Sequence, residues 1–212
     1  MGKETKLTSE ESKRAIDDKA VFDLLSPSRN IDLKVKEIFG SLRQTFNVIL
    51  VLPRIQQELK YLRIIKYFVD KGLPGVYVTV NKSTSELTEE LRLQNINTEN
   101  IIFVDAVTQM INGREIESDN ISYLDGPSDL IELSLEVGKA LDKIGKKNGF
   151  VVIDSITTLL IYNKDVVIEK FLHTLSQKIK EQKLQGVYFA AESTNKDVLD
   201  TISQFCDDIQ NL

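Results

Sequence analysis

The strongest constraint on the fold is a series of five short apolar runs, separated by longer segments whose apolar residues recur at helical spacing. The runs are "NVILVL" at 47–52, "GVYVTVN" at 75–81, "IIFVD" at 101–105, "GFVVID" at 149–154 and "GVYFAA" at 186–191. Their hydrophobicity is continuous rather than alternating, which is typical of parallel strands covered on both faces. Alternating strands and helices with right-handed crossovers predict a doubly wound α/β fold with three layers, α/β/α, around a mainly parallel sheet.

Length and composition exclude several classes of protein. The 212 residues, 42% hydrophobic, correspond to one ordinary domain core, and a net charge of −5 gives no general attraction to nucleic acid or anionic membranes. A single cysteine, Cys206, and a single histidine, His173, exclude an internal disulfide and a zinc site built from several such ligands. No apolar stretch approaches the about 18 residues of a membrane span, and the N-terminus lacks the apolar centre of a signal peptide. We therefore expect a cytoplasmic protein with neither membrane nor nucleic acid as a partner.

Two segments depart from the strand–helix alternation. Residues 1–44 are predicted to form an N-terminal helical arm, with helices at about 9–25 and 31–42 divided by "SPSRN", and residues 45–212 form the α/β domain. The segment 106–126 is long for a connection and contains a possible short strand at 121–124. A functional insertion and simple surface variation are both open for it.

Acidic residues at strand ends are the first candidates for a site, because open α/β sheets bind ligands beyond the carboxyl ends of their strands. Asp105, Asp154 and Glu192 qualify. "GFVVID" has the form of a Walker B strand, whose carboxylate, Asp154, would hold Mg²⁺ through water. The alternative is that Asp154 caps the turn that follows it.

The end of the first strand lacks a phosphate-binding loop. A P-loop needs G-x-x-x-x-G-K-[ST], but that frame covers "PRIQQELK" at 53–60. Pro53 removes an N–H donor, Glu58 would repel phosphate, and Leu59 replaces the lysine that would neutralise it. A helix beginning near Arg54, with Ile55 on its apolar face, is predicted where the loop would be.

The order of these pieces resembles the archaeal KaiC-like branch of the RecA ATPase superfamily, a P-loop NTPase fold. The resemblance covers about 45–212 and is carried mainly by "GLPGVYVTVNKSTSELTEELRLQNINTENIIFVDAVTQ", "NGFVVIDSITTLLIYN" and "LQGVYFAAEST". It implies a sheet ordered third, second, fourth, fifth, first among the five predicted strands, with the terminal "DDIQNL" adding a strand beside the first. It also implies Asp154 as the Walker B carboxylate, and it places the catalytic glutamates of the family at Asn81 and Lys82.

These departures predict a pseudo-ATPase, because a degenerate Walker A motif, no phosphate lysine and no carboxylate base remove positioning, charge neutralisation and water activation together. We expect a non-catalytic regulatory or signalling module that binds protein partners, a second copy of itself included, and that needs neither ATP nor a metal. Residues 1–44 and 106–126 are the first candidates for its binding surface.

Two other functions stay open. One is an atypical ATP-binding protein or ATPase that uses Asp154 with a divergent phosphate loop and either Lys60 or Lys82. The other is a small-molecule sensor in the crevice near Asp105, Asp154 and Glu192.

Overall fold

A seven-stranded sheet forms the centre of the molecule, in which every pair of neighbouring strands is parallel. A computed structural model describes residues 27–55, 57–112, 118–145 and 148–212, so the helix predicted at 9–25 lies outside the described residues. The strands are β1 (Phe46–Leu52), β2 (Gly75–Thr79), β3 (Ile101–Asp105), β4 (Ile121–Tyr123), β5 (Phe150–Asp154), β6 (Gln185–Ala191) and β7 (Asp208–Asn211).

The order across the sheet is β4-β3-β2-β5-β6-β1-β7. This confirms the predicted order of the five main strands. The short strand predicted within 106–126 is β4, which forms one edge beside β3, and the terminal strand β7 forms the other edge beside β1. The central strands are buried along their whole length, as their continuous hydrophobicity predicts.

Helices cover both faces of the sheet, which confirms the doubly wound three-layer architecture. One hydrophobic cluster lies under the first three helices, and a second lies on the opposite face. The described helices are α1 (Pro27–Ser41), α2 (Gln57–Val69), α3 (Thr84–Leu93), α4 (Thr108–Asn112), α5 (Leu130–Ile144), α6 (Ile156–Tyr162), α7 (Asp165–Glu181) and α8 (Lys196–Ser203). None of them is both long enough and apolar enough to cross a bilayer.

The helix α1 packs into the domain rather than standing apart from it. It spans Pro27–Ser41 and so includes residues 27–30, ahead of the predicted start at residue 31, because proline is well tolerated in the first turn of a helix. Its Phe39 ring lies 5.7 Å from that of Phe46 in β1 and 4.9 Å from that of Phe68 in α2. Core contacts therefore cross the predicted boundary at residue 44, and the division of the chain there stays a prediction.

Side-chain caps fix the helix starts that border the strand ends. Ser83 caps α3 by accepting from the Glu86 N–H, and Ser155 caps α6 by accepting from the Thr158 N–H. Asp129 does the same for the first turn of α5. The caps at Ser83 and Ser155 hold the loops that follow β2 and β5 close to the edge of the sheet where these two strands end.

Candidate functional site

A polar cleft with a volume of about 550 Å³ lies beyond the carboxyl ends of the central strands. This is the position at which open α/β sheets bind ligands. Its walls come from the β1–α2 connection and α2, from the residues after β2, and from the β5–α6 connection. The side chains that line it include those of Glu58, Tyr61, Asn81, Lys82 and Asp154.

Asp154 lies in the floor of this cleft and is almost completely buried. The Tyr77 hydroxyl donates to its Oδ2 at 2.7 Å, and the Asn81 amide donates to its Oδ1 at 2.6 Å. Burial raises the pKa of Asp154 above its ordinary value, and the bonds from Tyr77 and Asn81 oppose that rise. The cap of the helix that follows is Ser155, so the alternative that Asp154 itself serves as the cap is wrong.

Asn81 is oriented by a second set of bonds. Its Oδ1 accepts from the Thr158 hydroxyl, while its Nδ2 faces Asp154 and also lies 3.5 Å from Ser155 Oγ. Thr158 Oγ1 in turn lies 3.2 Å from Ser155 Oγ. The first turn of α6 therefore fixes the amide, so that its donor rather than its acceptor points at the carboxylate.

Lys82 lies at the mouth of the cleft among acidic partners. Its Nζ is 2.5 Å from Glu90 Oε1, 3.0 Å from Tyr61 Oη and 3.5 Å from Glu58 Oε1, and Tyr61 donates a further hydrogen bond to Glu90. Burial alone would lower the pKa of Lys82, but the bonds to Glu90 and Tyr61 outweigh it and raise the pKa above its ordinary value. The ammonium is therefore charged and already paired within the protein.

The connection between β1 and α2 differs from the prediction. The helix begins at Gln57, not near Arg54, and Pro53 lies in the connection before it. Ile55 is 78% exposed instead of lying on an apolar helix face. A helix start at Arg54 has no capping side chain, because "LPR" at 52–54 contains no Asp, Asn, Ser or Thr; Gln56 lies outside the described residues.

Lys60, one of the two lysines considered for phosphate, does not line the cleft. Its Nζ donates to the backbone oxygen of Leu212 at 2.7 Å. Burial lowers the pKa of Lys60, Lys34 lowers it further, and Glu192 opposes both. Lys60 therefore contributes to the contact between α2 and the end of the chain.

Asp105 belongs to a separate structural site. Its buried carboxylate accepts from the backbone N–H groups of Thr84, Val107 and Thr108 at 2.6–2.8 Å and from the Thr108 hydroxyl at 2.6 Å. Strand β2 lies between β3 and β5, which separates Asp105 from Asp154 by about 10 Å of sheet. Of the three strand-end acids, only Asp154 lines the cleft.

Residues of the site that the sequence did not single out include Tyr61, Tyr77, Glu90 and Thr158. For Tyr77 a signal existed, since a tyrosine in the middle of a fully buried strand needs a polar partner for its hydroxyl. Tyr61 and Glu90 lie on the amphipathic helices α2 and α3, where their residue types are ordinary, so the sequence carried no signal for them.

The single histidine and the single cysteine do not line the cleft. His173 is exposed on α7, with its ring 5.2 Å from that of Phe205. Burial raises the pKa of Cys206 to about 12, with Asp207 adding to the rise, so the thiol is protonated and packs against the core. In the described part of the chain, no group of three or more His, Cys, Asp or Glu side chains is arranged to hold a metal ion.

Tyr77→Phe is expected to lower the free energy of unfolding by about 1.5–3 kcal/mol at pH 7.5, because it removes a hydrogen bond to a buried carboxylate. The loss should shrink toward pH 5. That bond favours the charged form, so its removal raises the folded-state pKa of Asp154 further, and protonation at lower pH then recovers stability. Urea unfolding at the two pH values measures both effects.

Tyr188→Phe is the matched control. Tyr188 is equally buried, but its hydroxyl bonds neutral partners, Ser176 at 3.0 Å and Asn47 at 2.8 Å. The loss in free energy of unfolding caused by Tyr188→Phe should be the same at both pH values. A Tyr77→Phe loss that is equally independent of pH would contradict an ionised Asp154 as the partner.

Comparison with known proteins identifies the family. Residues 70–211 match the model of a family of unknown function, DUF7504. The chain belongs to this family. The matched range includes Tyr77, Asn81, Lys82 and Asp154, whereas β1 and α2 precede it. The DUF7504 match therefore contains the floor of the cleft but not the β1–α2 connection that forms one of its walls. No curated protein matches the sequence.

Solved structures show the fold of this DUF7504 member. A KaiC-like protein from the hyperthermophilic archaeon Pyrococcus horikoshii is similar with a TM-score of 0.60 and 14% identity, over 84% of this chain and 76% of that one. An uncharacterized protein from the same organism, in complex with an unknown peptide, gives 0.59 and 12%, over 84% and 81%. These similarities support a KaiC/RecA-like fold, and at such identities they show the fold alone.

Proposed function

We propose that this chain is a KaiC-like domain that does not hydrolyse ATP and that acts in the cytoplasm as a protein-interaction or regulatory module. The observation that carries the proposal is the pairing of Lys82 with Glu90 and Glu58 across the mouth of the cleft. A nucleotide site must present unpaired positive charge to phosphate, and this cation is neutralised by the protein's own carboxylates.

The phosphate side of the cleft supports the same reading. Glu58 lies in the first turn of α2, the helix end whose N–H groups and dipole would otherwise favour an anion. Its side chain is 77% exposed and faces Lys82, so it places a negative charge in a cleft whose other lining cation is the exposed Arg54. Pro53 supplies no N–H to the connection, and Leu59 supplies no charge.

The metal side is also poorly suited to Mg²⁺. Both oxygens of Asp154 accept hydrogen bonds from neutral donors, and burial raises the pKa of this carboxyl. Asn81 presents its amide N–H₂ to the carboxylate, which a cation and its water shell would have to displace. The residues present therefore fit a magnesium nucleotide badly, and we derive no hydrolytic step through one.

The position of the general base carries no base. The resemblance places catalytic glutamates at Asn81 and Lys82. An amide cannot take a proton from water at neutral pH, and Lys82 has its pKa raised by its acidic partners. Activation of an attacking water would need a carboxylate that neither position provides.

An interaction role is supported by the fold and by the chemistry that remains. One structural neighbour was solved in complex with an unknown peptide, so a domain of this shape can hold a polypeptide. Domains that keep a fold without its reaction retain surfaces on which binding can persist. The lone, protonated Cys206 is compatible with a reducing compartment.

We expect titration with labelled ATP and Mg²⁺ to show no saturable binding up to millimolar concentrations, and a phosphate-release assay to stay at the level of buffer. Asp154→Ala should give the same result as the native sequence in both assays. Micromolar binding that requires Mg²⁺ and is lost in Asp154→Ala would instead establish the atypical ATP-binding protein.

Asp165→Ala is the matched control for that comparison. Asp165 is an exposed carboxylate in the first turn of α7 and does not line the cleft. A signal that both variants leave unchanged does not come from the cleft and would be assigned to a contaminating ATPase.

A further inference from the structure

Exposed apolar side chains are concentrated in three segments of the domain. Of the twelve large apolar side chains exposed among the described residues, eight fall in 110–111, 131–135 and 161–167. We name these three segments the apolar patch. Exposed apolar residues scattered singly are normal, whereas a concentration of this kind marks an interaction surface.

The three segments are joined through the loop at 125–129. A Cβ atom added to Gly126 would lie 3.2 Å from Met110 Sδ, so the end of α4 packs against this loop. The Asn163 amide donates to the Pro127 oxygen at 2.8 Å, which attaches the α6–α7 junction to the same loop. The loop leads directly into α5, where Ile131 and Leu135 stand one turn apart on the outer face at 77% and 61% exposure.

The edge of the patch along α5 is acidic. Four carboxylates lie close together here: Asp125, Asp129, Glu132 and Glu136. Burial raises the pKa of Glu132, and the negative charges of the other three raise it further. Lys139 pairs with Glu136 at 2.6 Å. At the α6–α7 junction Lys164 and Asp165 offset each other. The rim therefore has a net negative charge.

We propose that the apolar patch docks a basic amphipathic helix of a partner protein. This inference rests on the proposed function as an interaction module and names its surface and the chemistry of its partner. Ile131 and Leu135 form an exposed apolar ridge along α5, and the segments at 110–111 and 161–167 are held at the start of this helix by the loop at 125–129. An amphipathic helix buries its apolar stripe on such a surface and places lysines and arginines against the carboxylates.

The charge pattern decides between this partner and other occupants. Two copies meeting through the patch would bring their acidic rims together, and each copy already carries a net charge of −5. An anionic membrane would be repelled for the same reason. A helix with basic residues along its edges is the occupant that both the apolar and the acidic parts of the surface favour.

The test uses the full chain and two synthetic helical peptides about five turns long, identical in their leucine stripe. One carries lysine on its polar face, and its twin carries glutamate at the same positions. Fluorescence anisotropy should give micromolar binding of the lysine peptide, at least about tenfold weaker binding of the twin, and affinity that falls as salt rises.

Variants of the chain locate the binding. The double variant Ile131→Ser with Leu135→Ser should bind the lysine peptide at least about tenfold more weakly. The double variant Asp125→Asn with Glu132→Gln should reduce both the affinity for this peptide and the dependence of that affinity on salt. Leu33→Ser with Leu93→Ser, which alters exposed leucines on α1 and α3 away from the patch, should leave binding unchanged. Circular dichroism and urea unfolding establish that each variant is folded.

Three results would overturn the proposal: equal binding of the two peptides, binding that the patch variants leave intact, or a dimer in sedimentation that Ile131→Ser with Leu135→Ser dissociates. The last would assign the patch to a second copy. The ATP assays test the proposed function separately. If neither the peptide nor ATP binds, only the docking proposal for the apolar patch is overturned. If ATP binds in a Mg²⁺-dependent way, only the non-catalytic assignment is overturned.

Discussion

A chain that begins at residue 45 is expected to lose cooperative folding. Helix α1 buries four apolar side chains against α2 and the sheet: Ile31, Val35, Ile38 and Phe39. At about 1.5–3 kcal/mol for each buried side chain, their removal costs roughly 6–12 kcal/mol. That range is comparable to the whole stability of a typical domain, about 5–15 kcal/mol. Urea unfolding followed by circular dichroism should show a broad transition without a folded baseline.

A chain that begins at residue 27 is the control, since it retains every described contact of α1. Its unfolding midpoint should stay close to that of the full chain. The single substitution Phe39→Ala should already cost about 3–5 kcal/mol, because the ring contacts those of Phe46, Tyr67 and Phe68. A cooperative, native-like transition for 45–212 would instead support residue 44 as a true domain boundary.

Asp105→Ala is expected to be among the most destabilising single substitutions, with a loss of about 3–5 kcal/mol. The carboxylate accepts four hydrogen bonds, and its removal leaves three backbone N–H groups and the Thr108 hydroxyl without their acceptor in a buried place. Asp105→Asn keeps one acceptor oxygen and should lose less. Denaturant unfolding at neutral pH measures both variants.

Asp129→Ala provides the comparison for that loss. Asp129 also caps a helix, but it is exposed and accepts from two N–H groups at the start of α5. Its removal should cost about 1 kcal/mol, because water can replace the lost acceptor. If Asp105→Ala cost no more than this, the structural role assigned to Asp105 would be wrong and the crevice prediction would regain support.

The cleft and the apolar patch are separate surfaces of one domain. The cleft uses residues after β2 and β5 and the start of α2, whereas the patch uses α4, α5 and the α6–α7 junction. They meet nearest at α6, whose first turn fixes Asn81 through Thr158 and whose end is tied to the loop before α5 through Asn163. Because the exposed apolar residues of the patch do not line the cleft, substitutions in the patch leave the lining of the cleft unchanged.

The sequence predicted the sheet well because its signal is local. Each central strand is a continuous apolar run, and its position can be read without knowledge of any other part of the chain. The resemblance added the strand order, which the structure confirms, including the terminal strand beside β1. Local reading failed at helix starts, for example at α1 and α2, since a start depends on packing and caps as well as on spacing.

What the sequence by itself determined is the α/β architecture, and that "PRIQQELK" stands at 53–60 where a P-loop motif would begin, because both are features of contiguous residues. Only the tertiary structure decided what surrounds Asp154 and Lys82. Asp154 meets Asn81 across 73 positions and Tyr77 across 77. Lys82 meets Glu58 across 24. Pairings of this kind depend on which strands become neighbours and on where the helices between them begin. The residues involved are of common types at common positions, so the sequence alone does not predict that they pair.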